Sequence, residues 1–278
     1  MKKLMFVAAA IAAGVAVADV TSANVVGYNK ADRFGAYACY GSAFVKPGQT
    51  SYTLADLDIT WTAASPTLKN QATSRKNYIQ FFKAASLNLD PDRAYYKCLA
   101  DGKWYKKDTT ESTAAKDQEV ADPSAVGFDA GQGFLSNLGT TSAKITFSGE
   151  VITGGEKKML EIARPGAYFV AGNPSATAIT LADIDITWTA ASPTLKNQAT
   201  SRKNYMQFFK AASLNLDPER CYYKCLADGK WYKKDTAEST AAKDTEILDP
   251  TTVQIKAGEG FLCNLGTTSA KISMATSL

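Results

Sequence analysis

The chain carries most of its own sequence twice. Residues 54–147 recur as residues 181–274, a gapless shift of 127 positions, and only 17 of the 94 aligned pairs differ. Upstream, Gly35-Ala36-Tyr37 matches Gly166-Ala167-Tyr168 at a shift of 131, so the second copy is four residues shorter around the loop at 46–52. A solenoid repeats every 20–50 residues and buries its core between neighbours; a unit this long is large enough to build a core of its own. The 278 residues therefore divide into two tandem homologous domains, at 19–149 and 150–278, with Thr153-Gly154-Gly155 as a short joint. Near-identity also means that a residue is not marked as functional merely by occurring twice.

The local pattern of each copy is β. Arg93 to Leu99 and Lys103 to Lys107 are aromatic-rich runs around Ala100-Asp101-Gly102, a hairpin signal in which glycine accepts the positive φ of the turn; Asp228-Gly229 repeats it. Further strands are expected at residues 24–28, 36–45, 77–84, 133–138 and 143–147, with turns at Asp90-Pro91-Asp92 and Asp122-Pro123-Ser124. Thr53 as a cap with Asp56 in the first turn predicts one short helix, whereas Ser65-Pro66 and the scattered Thr and Asn of residues 62–76 favour an irregular loop. The expected fold is all-β, mainly antiparallel and sandwich-like, with minor short helices.

The N-terminus reads as an export signal. Met1-Lys2-Lys3 is followed by an apolar run from Leu4 to Ala18, too short to span a bilayer, ending in the A-x-A cleavage pattern Ala16-Val17-Ala18. Removing residues 1–18 takes two lysines and lowers the net charge from +4 to +2. The expected location is secreted, cell-surface or periplasmic, with no membrane span in the mature chain.

The start Met-Lys-Lys-Leu-Met, the segment Ser22-Ala23-Asn24-Val25-Val26-Gly27-Tyr28, and Ala130-Gly131-Gln132-Gly133-Phe134-Leu135 with its repeat Ala257-Gly258-Glu259-Gly260-Phe261-Leu262 resemble β-rich secreted proteins of verrucomicrobial and related bacteria. The resemblance covers the N-terminal 28 residues and the ends of both copies. It implies export and β structure, and brings no catalytic residue with it.

Five cysteines fall at Cys39, Cys98, Cys221, Cys225 and Cys263. Cys221 and Cys263 stand where the first copy has Ala94 and Ser136, and this paired difference suggests a Cys221–Cys263 bridge, with Cys39–Cys98 in the first copy and Cys225 free. An oxidising compartment permits this, but five cysteines allow 15 two-bridge arrangements and sequence does not choose among them. Buried, unpaired thiols are the other reading.

The chain has no histidine, which removes the usual general base, the commonest metal ligand and every serine–histidine mechanism. G-x-S-x-G and Ser-x-x-Lys motifs are missing, and Gly131-x-Gly133 precedes an apolar run, as a turn before a strand does. Carboxylate pairs at Asp56/Asp58 and Asp183/Asp185 are the remaining acid–base option. Asn88, Asp90 and Asp92 resemble the start of a calcium loop without its glycine and distal Glu. No cofactor and no metal are expected.

Lysine and aromatic residues give the more suggestive surface. No acid lies between Asp58 and Asp90, where Lys69, Arg75, Lys76 and Lys83 occur; Lys196, Arg202, Lys203 and Lys210 repeat them. The hairpin adds Lys97, Lys103, Lys106 and Lys107 around Tyr95, Tyr96, Trp104 and Tyr105. Pleat alternation places Trp104 and Tyr105 on opposite faces, so a half-buried strand buries one of them. Tyr96, Tyr105 and Lys106, with Tyr223, Tyr232 and Lys233, are the candidate ligand-binding residues, since aromatic faces stack on sugars and lysines attract polyanions. The expected role is non-catalytic, structural or adhesive, at the cell surface or in extracellular matrix. The alternative is a polysaccharide-binding protein with two equivalent aromatic and basic sites. Expected partners are extracellular polysaccharide, other surface proteins or further copies of the chain, and not nucleic acid.

Overall fold

The computed structural model describes residues 26–31, 37–41, 44–45, 51–67, 71–83, 86–129, 131–151, 158–194, 198–211 and 213–276. The expected signal segment, the joint at Thr153-Gly154-Gly155, Lys69 and Lys196 lie outside the described residues. Among those residues, no helix is long and apolar enough to cross a membrane.

The first repeat consists of β1 (Val26–Ala31), β2 (Tyr37–Gly41), β3 (Phe44–Val45), β4 (Ser51–Thr53), β5 (Leu57–Thr60), β6 (Asn77–Phe82), β7 (Leu89–Lys97), β8 (Trp104–Lys106), β9 (Gln118–Glu119), β10 (Gly127–Asp129), β11 (Gly133–Leu138) and β12 (Lys144–Val151). A six-stranded sheet runs β2-β11-β6-β7-β8-β9. Opposite it, β12 pairs with β1 along one edge and with β5 and then β3 along the other, while β4 and β10 form a separate pair. Every pairing is antiparallel. Alternation along the strands sends Ile79, Phe81, Tyr95, Phe134 and Leu138 inward from the large sheet to meet Leu57, Ile59, Ile145 and Phe147 from the small one. Phe134 stacks on Phe147 at 5.8 Å. Each such burial contributes about 1.5–3 kcal/mol.

The second repeat has β13 (Lys158–Ile162), β14 (Ala167–Gly172), β15 (Ile179–Thr180), β16 (Ile184–Thr187), β17 (Asn204–Phe209), β18 (Leu216–Lys224), β19 (Trp231–Lys233), β20 (Thr245–Glu246), β21 (Gln254–Ile255), β22 (Gly260–Leu265) and β23 (Lys271–Thr276). Its large sheet, β14-β22-β17-β18-β19-β20, repeats the first in order and register. The likeness extends beyond the recognisable sequence: Lys158↔Thr276 and Ile162↔Ile272 reproduce Gly27↔Gly149 and Ala31↔Ile145, although β13 and its counterpart share no residue.

The outer faces of the two large sheets meet. Gly41 and Gly172 cross so closely that a methyl group on Gly41 would lie 2.3 Å from the Gly172 Cα. Tyr40 bridges to Glu259, and Ala171 to Gln132. The Gly41 N–H donates to the Gly258 carbonyl at 3.3 Å, and the Gly172 N–H to that of Gly131 at 3.0 Å. Tyr37 meets Phe209 edge-on at 6.2 Å, as Tyr168 meets Phe82 at 6.3 Å. Cys39, Leu135, Val170 and Leu262 form a small apolar cluster between them. Each of these contacts occurs twice with the repeats exchanged, so the two are related by a local twofold.

Several expectations need correction. The hairpin forms, but its turn is the four-residue loop 99–102, with Gly102 at φ 69° and the Cys98 N–H donating to the Lys103 carbonyl. Asp90-Pro91-Asp92 is not a turn; it lies within β7, beside a register shift at Gln80–Phe82 where proline's missing N–H costs no ladder bond. The capped segment at 54–56 is a single 3₁₀ turn, with Asp56 accepting from both the N–H and the hydroxyl of Thr53 at 3.0 and 2.8 Å. The irregular stretch 62–76 contains one helical turn, Gln71–Ser74. β12 runs through Gly149 to Val151, so a boundary at Gly149 would cut a paired strand.

The disulfide expectation fails. All five cysteines are buried, and no two of them are at disulfide distance. Gln207 sits directly opposite both Cys221 and Leu262, whereas Met206 is opposite Cys263, so the two thiols occupy opposite faces of the sheet with β17 between their strands. Cys39 is on β2 and Cys98 directly follows β7, three strand places away, about 14 Å and beyond the roughly 7 Å Cα limit for a bridge. The protein should therefore show the same mass with and without reductant. All five thiols should react with a thiol reagent only after unfolding; a bridge detected in the native protein would contradict this arrangement.

Candidate functional site

At the far end of each large sheet, a loop without regular structure folds back over the outer face. Arg75 and Asp117 hold it there. The Arg75 Nε donates to Asp117 Oδ2 at 2.6 Å and an NH2 group to Oδ1 at 3.1 Å, with side chains only 6% and 0% exposed. The same guanidinium donates to the Asp108 carbonyl, and the Asp108 N–H and Tyr96 hydroxyl donate to the same carboxylate at 2.9 and 2.7 Å. Arg202, Asp244, Asp235 and Tyr223 repeat every contact. Burial works against the charge of Asp244, yet the bonds from Arg202 and Tyr223 hold its carboxyl below the usual range.

Folding the loop back opens a cleft of about 280 Å³ lined by Asp92, Lys106, Lys107, Asp108, Lys116 and Gln118, among others. The second repeat has a cleft of about 320 Å³ at the same positions, each shifted by 127, with Glu219, Ala237 and Thr245 replacing Asp92, Thr110 and Gln118. The lysines differ in their circumstances. Lys106 bonds Asp92 at 2.8 Å, which raises the pKa of the lysine and lowers that of the acid. Lys233 pairs with Glu219, and Lys116 with Glu111. Lys107 lies 3.5 Å from the centre of the Tyr78 ring, and among the described residues no carboxylate is within ion-pair distance of it. Burial, aided by the Arg75 charge, pushes its ammonium down to about 8. Lys234 sits on Tyr205 at 3.7 Å in the same way, its pKa lowered chiefly by burial.

Of the six expected binding residues, Lys106 and Lys233 line the clefts. Tyr96 and Tyr223 are 0% exposed, which corrects their expected role as open stacking faces; burial raises their hydroxyl pKa. Tyr105 and Tyr232 are half-buried, stacked on these tyrosines at 5.6 and 5.5 Å, and donate to Asp101 and Asp228. Trp104 is in the core, on the opposite face from Tyr105. Arg75 and Arg202, read as part of a basic surface, are buried. The acid–base carboxylates do not converge: Asp56 and Asp183 cap 3₁₀ turns, while Asp58 and Asp185 pair with Lys97 and Lys224 at 2.6 and 2.7 Å. Asp90 accepts from the Asp92 N–H, and among the described residues no cluster of acids or cysteines is placed to hold a metal ion.

Sequence reasoning missed Lys107 and Lys116 as cleft residues. Lys107 was within reach: it alternates with Tyr105 onto the outer face. That Asp117 brings Lys116 back over the sheet has no local signal.

No protein-family model, curated protein or solved structure matches the chain.

Replacing Asp117 with Asn leaves a buried guanidinium without its counter-charge and should cost about 3–5 kcal/mol. Chemical denaturation should show a lowered midpoint, and hydrogen exchange should show faster opening of residues 108–117. Asp244→Asn should do the same in the second repeat.

Proposed function

We propose that the chain is an exported, non-catalytic structural or adhesive protein of the cell surface or extracellular matrix, and that its two lysine clefts hold an acidic polysaccharide. One observation carries the reading: the same positions line a cleft in both repeats, and in each a half-buried lysine rests on a tyrosine ring with no carboxylate of its own among the described residues. A glycan carboxylate or sulfate supplies the missing counter-charge, and two linked sites make the second contact intramolecular. The neighbouring lysines, already paired with Asp92, Glu219, Glu111 and Glu238, exchange those partners for ligand anions at the cleft rim.

The test is binding of residues 19–278 to immobilised polygalacturonate and alginate, with dextran as the neutral control. Retention on the acidic polymers should weaken with added salt, and Lys107→Gln with Lys234→Gln should reduce affinity at least about tenfold, or about 1.4 kcal/mol, in protein that remains folded. Equal binding by the variant, or none by the folded wild type, overturns the polysaccharide reading.

The pH dependence has a definite sign. An anion binds the protonated lysine, and Lys107 loses its proton near 8 instead of at the ordinary lysine value. Affinity should therefore fall as pH rises from 7 to 9, before surface lysines titrate. A flat profile across that range would remove Lys107 from the site.

A further inference from the structure

The Gly-x-Gly-Phe segment that occurs in both repeats has no part in the clefts. It lies at the contact between the repeats. Gly131 and Gly258, at φ 78° and 70°, turn their carbonyls toward the N–H groups of Gly172 and Gly41. Gly133 and Gly260 then pass close under the other repeat: a methyl on Gly133 would fall 2.5 Å from the Val170 side chain, as well as 2.5 Å from the Tyr40 carbonyl of its own sheet, and one on Gly260 2.7 Å from the Tyr40 nitrogen. The motif thus performs two tasks at once, offering an acceptor to the edge of the other repeat and clearing its path.

We propose that this motif is a homotypic pairing element and that the partner its surface fits is a second copy of the chain, each molecule's repeat taking the place of the other's across the same twofold contact. The surface is self-complementary. Its glycines and its outer aromatic and leucine residues are the same in both repeats, so a first repeat meets another first repeat with the groups it presents to a second. Isologous faces of this kind close equally well within a chain or between chains. Six residues separate β12 from β13 and span at most about 22 Å, which gives the intramolecular contact an effective concentration in the millimolar range. The closed monomer therefore dominates in dilute solution. Chains that fold together near that concentration exchange repeats, closing into two-chain rings or continuing as a line, since every chain carries two pairing faces. This inference is independent of the polysaccharide reading and makes the protein a matrix-forming element by itself.

The experiment refolds residues 19–278 from denaturant at about 1 µM and about 1 mM, then measures mass by light scattering after equal dilution. The expected result is monomer from the dilute sample, and twice the chain mass with higher multiples from the concentrated one. These species should be absent in Gly133→Val with Gly260→Val at either concentration. Leu135→Lys with Leu262→Lys gives a second route, because the apolar cluster holding these leucines is separate from both repeat cores; it should also abolish the dimer. Monomer alone from the concentrated wild type overturns the proposal. So does a dimer equally abundant in either folded variant. If the valine variant fails to fold, the lysine variant decides.

Discussion

In each repeat, a guanidinium and a carboxylate leave water together, and the outer face takes its shape from that pair. Isolated, either charge would be prohibitively expensive to bury. Joined by two N–H···O contacts, with the remaining carboxylate valences taken by a backbone N–H and a tyrosine hydroxyl, Arg75 and Asp117 form a fully bonded cluster. Such a pair is not a strong source of net stability compared with an apolar replacement. What it supplies is position: the loop at 108–117 has no ladder to align it, yet its carbonyl, amide and carboxylate meet fixed partners, and Lys116 takes its place in the cleft from it.

The two repeats show which parts of this plan admit variation. The pinning cluster is identical in both, whereas the core is not. Tyr40, Tyr52, Phe128 and Phe147 of the first repeat become Ala171, Ile179, Ile255 and Met274 in the second, while Ile79 and Ser136 become Met206 and Cys263. Ala38 changes the other way, to Phe169, so an aromatic ring moves two positions along the strand while the rest of the core trades aromatic for aliphatic and sulfur-containing side chains, a joint repacking under an unchanged strand register. That also accounts for Cys263: it fills core volume in place of a buried serine hydroxyl, and Cys221 is a separate change on the other face.

Much of the fold was legible in the sequence. Glycine after aspartate marked the hairpin, alternation placed Trp104 inward and Tyr105 outward, and Thr53 with Asp56 marked the capped turn, because each of these signals depends on neighbours in the chain. What failed depended on distant partners. Pro91 looked like a turn residue because nothing nearby discloses the bulge in β7 itself, opposite Gln80–Phe82 of β6, that accommodates it in a strand. Tyr96 looked exposed because the outer face of a sheet usually is; it is covered only because Asp117, 21 positions later, returns to it. The cysteine pairing failed for a related reason, since two substitutions that differ together do not reveal which face of a strand each occupies. Of the expected site residues, Lys106 and Lys233 line the clefts, while Tyr96 and Tyr223 of the aromatic half lie buried beneath the loop.

The uneven chemistry of the two cores gives them different fates in an oxidising medium. The first core cluster contains no sulfur; the second holds Met206, Cys263 and Met274, all 0% exposed. While the fold is closed these sulfurs are shielded, but any transient opening lets an oxidant convert an apolar thioether into a polar sulfoxide that the core does not readmit. Damage therefore accumulates on one side, and the aromatic repeat, with its own cleft and its own pinned loop, is the half that outlasts the other.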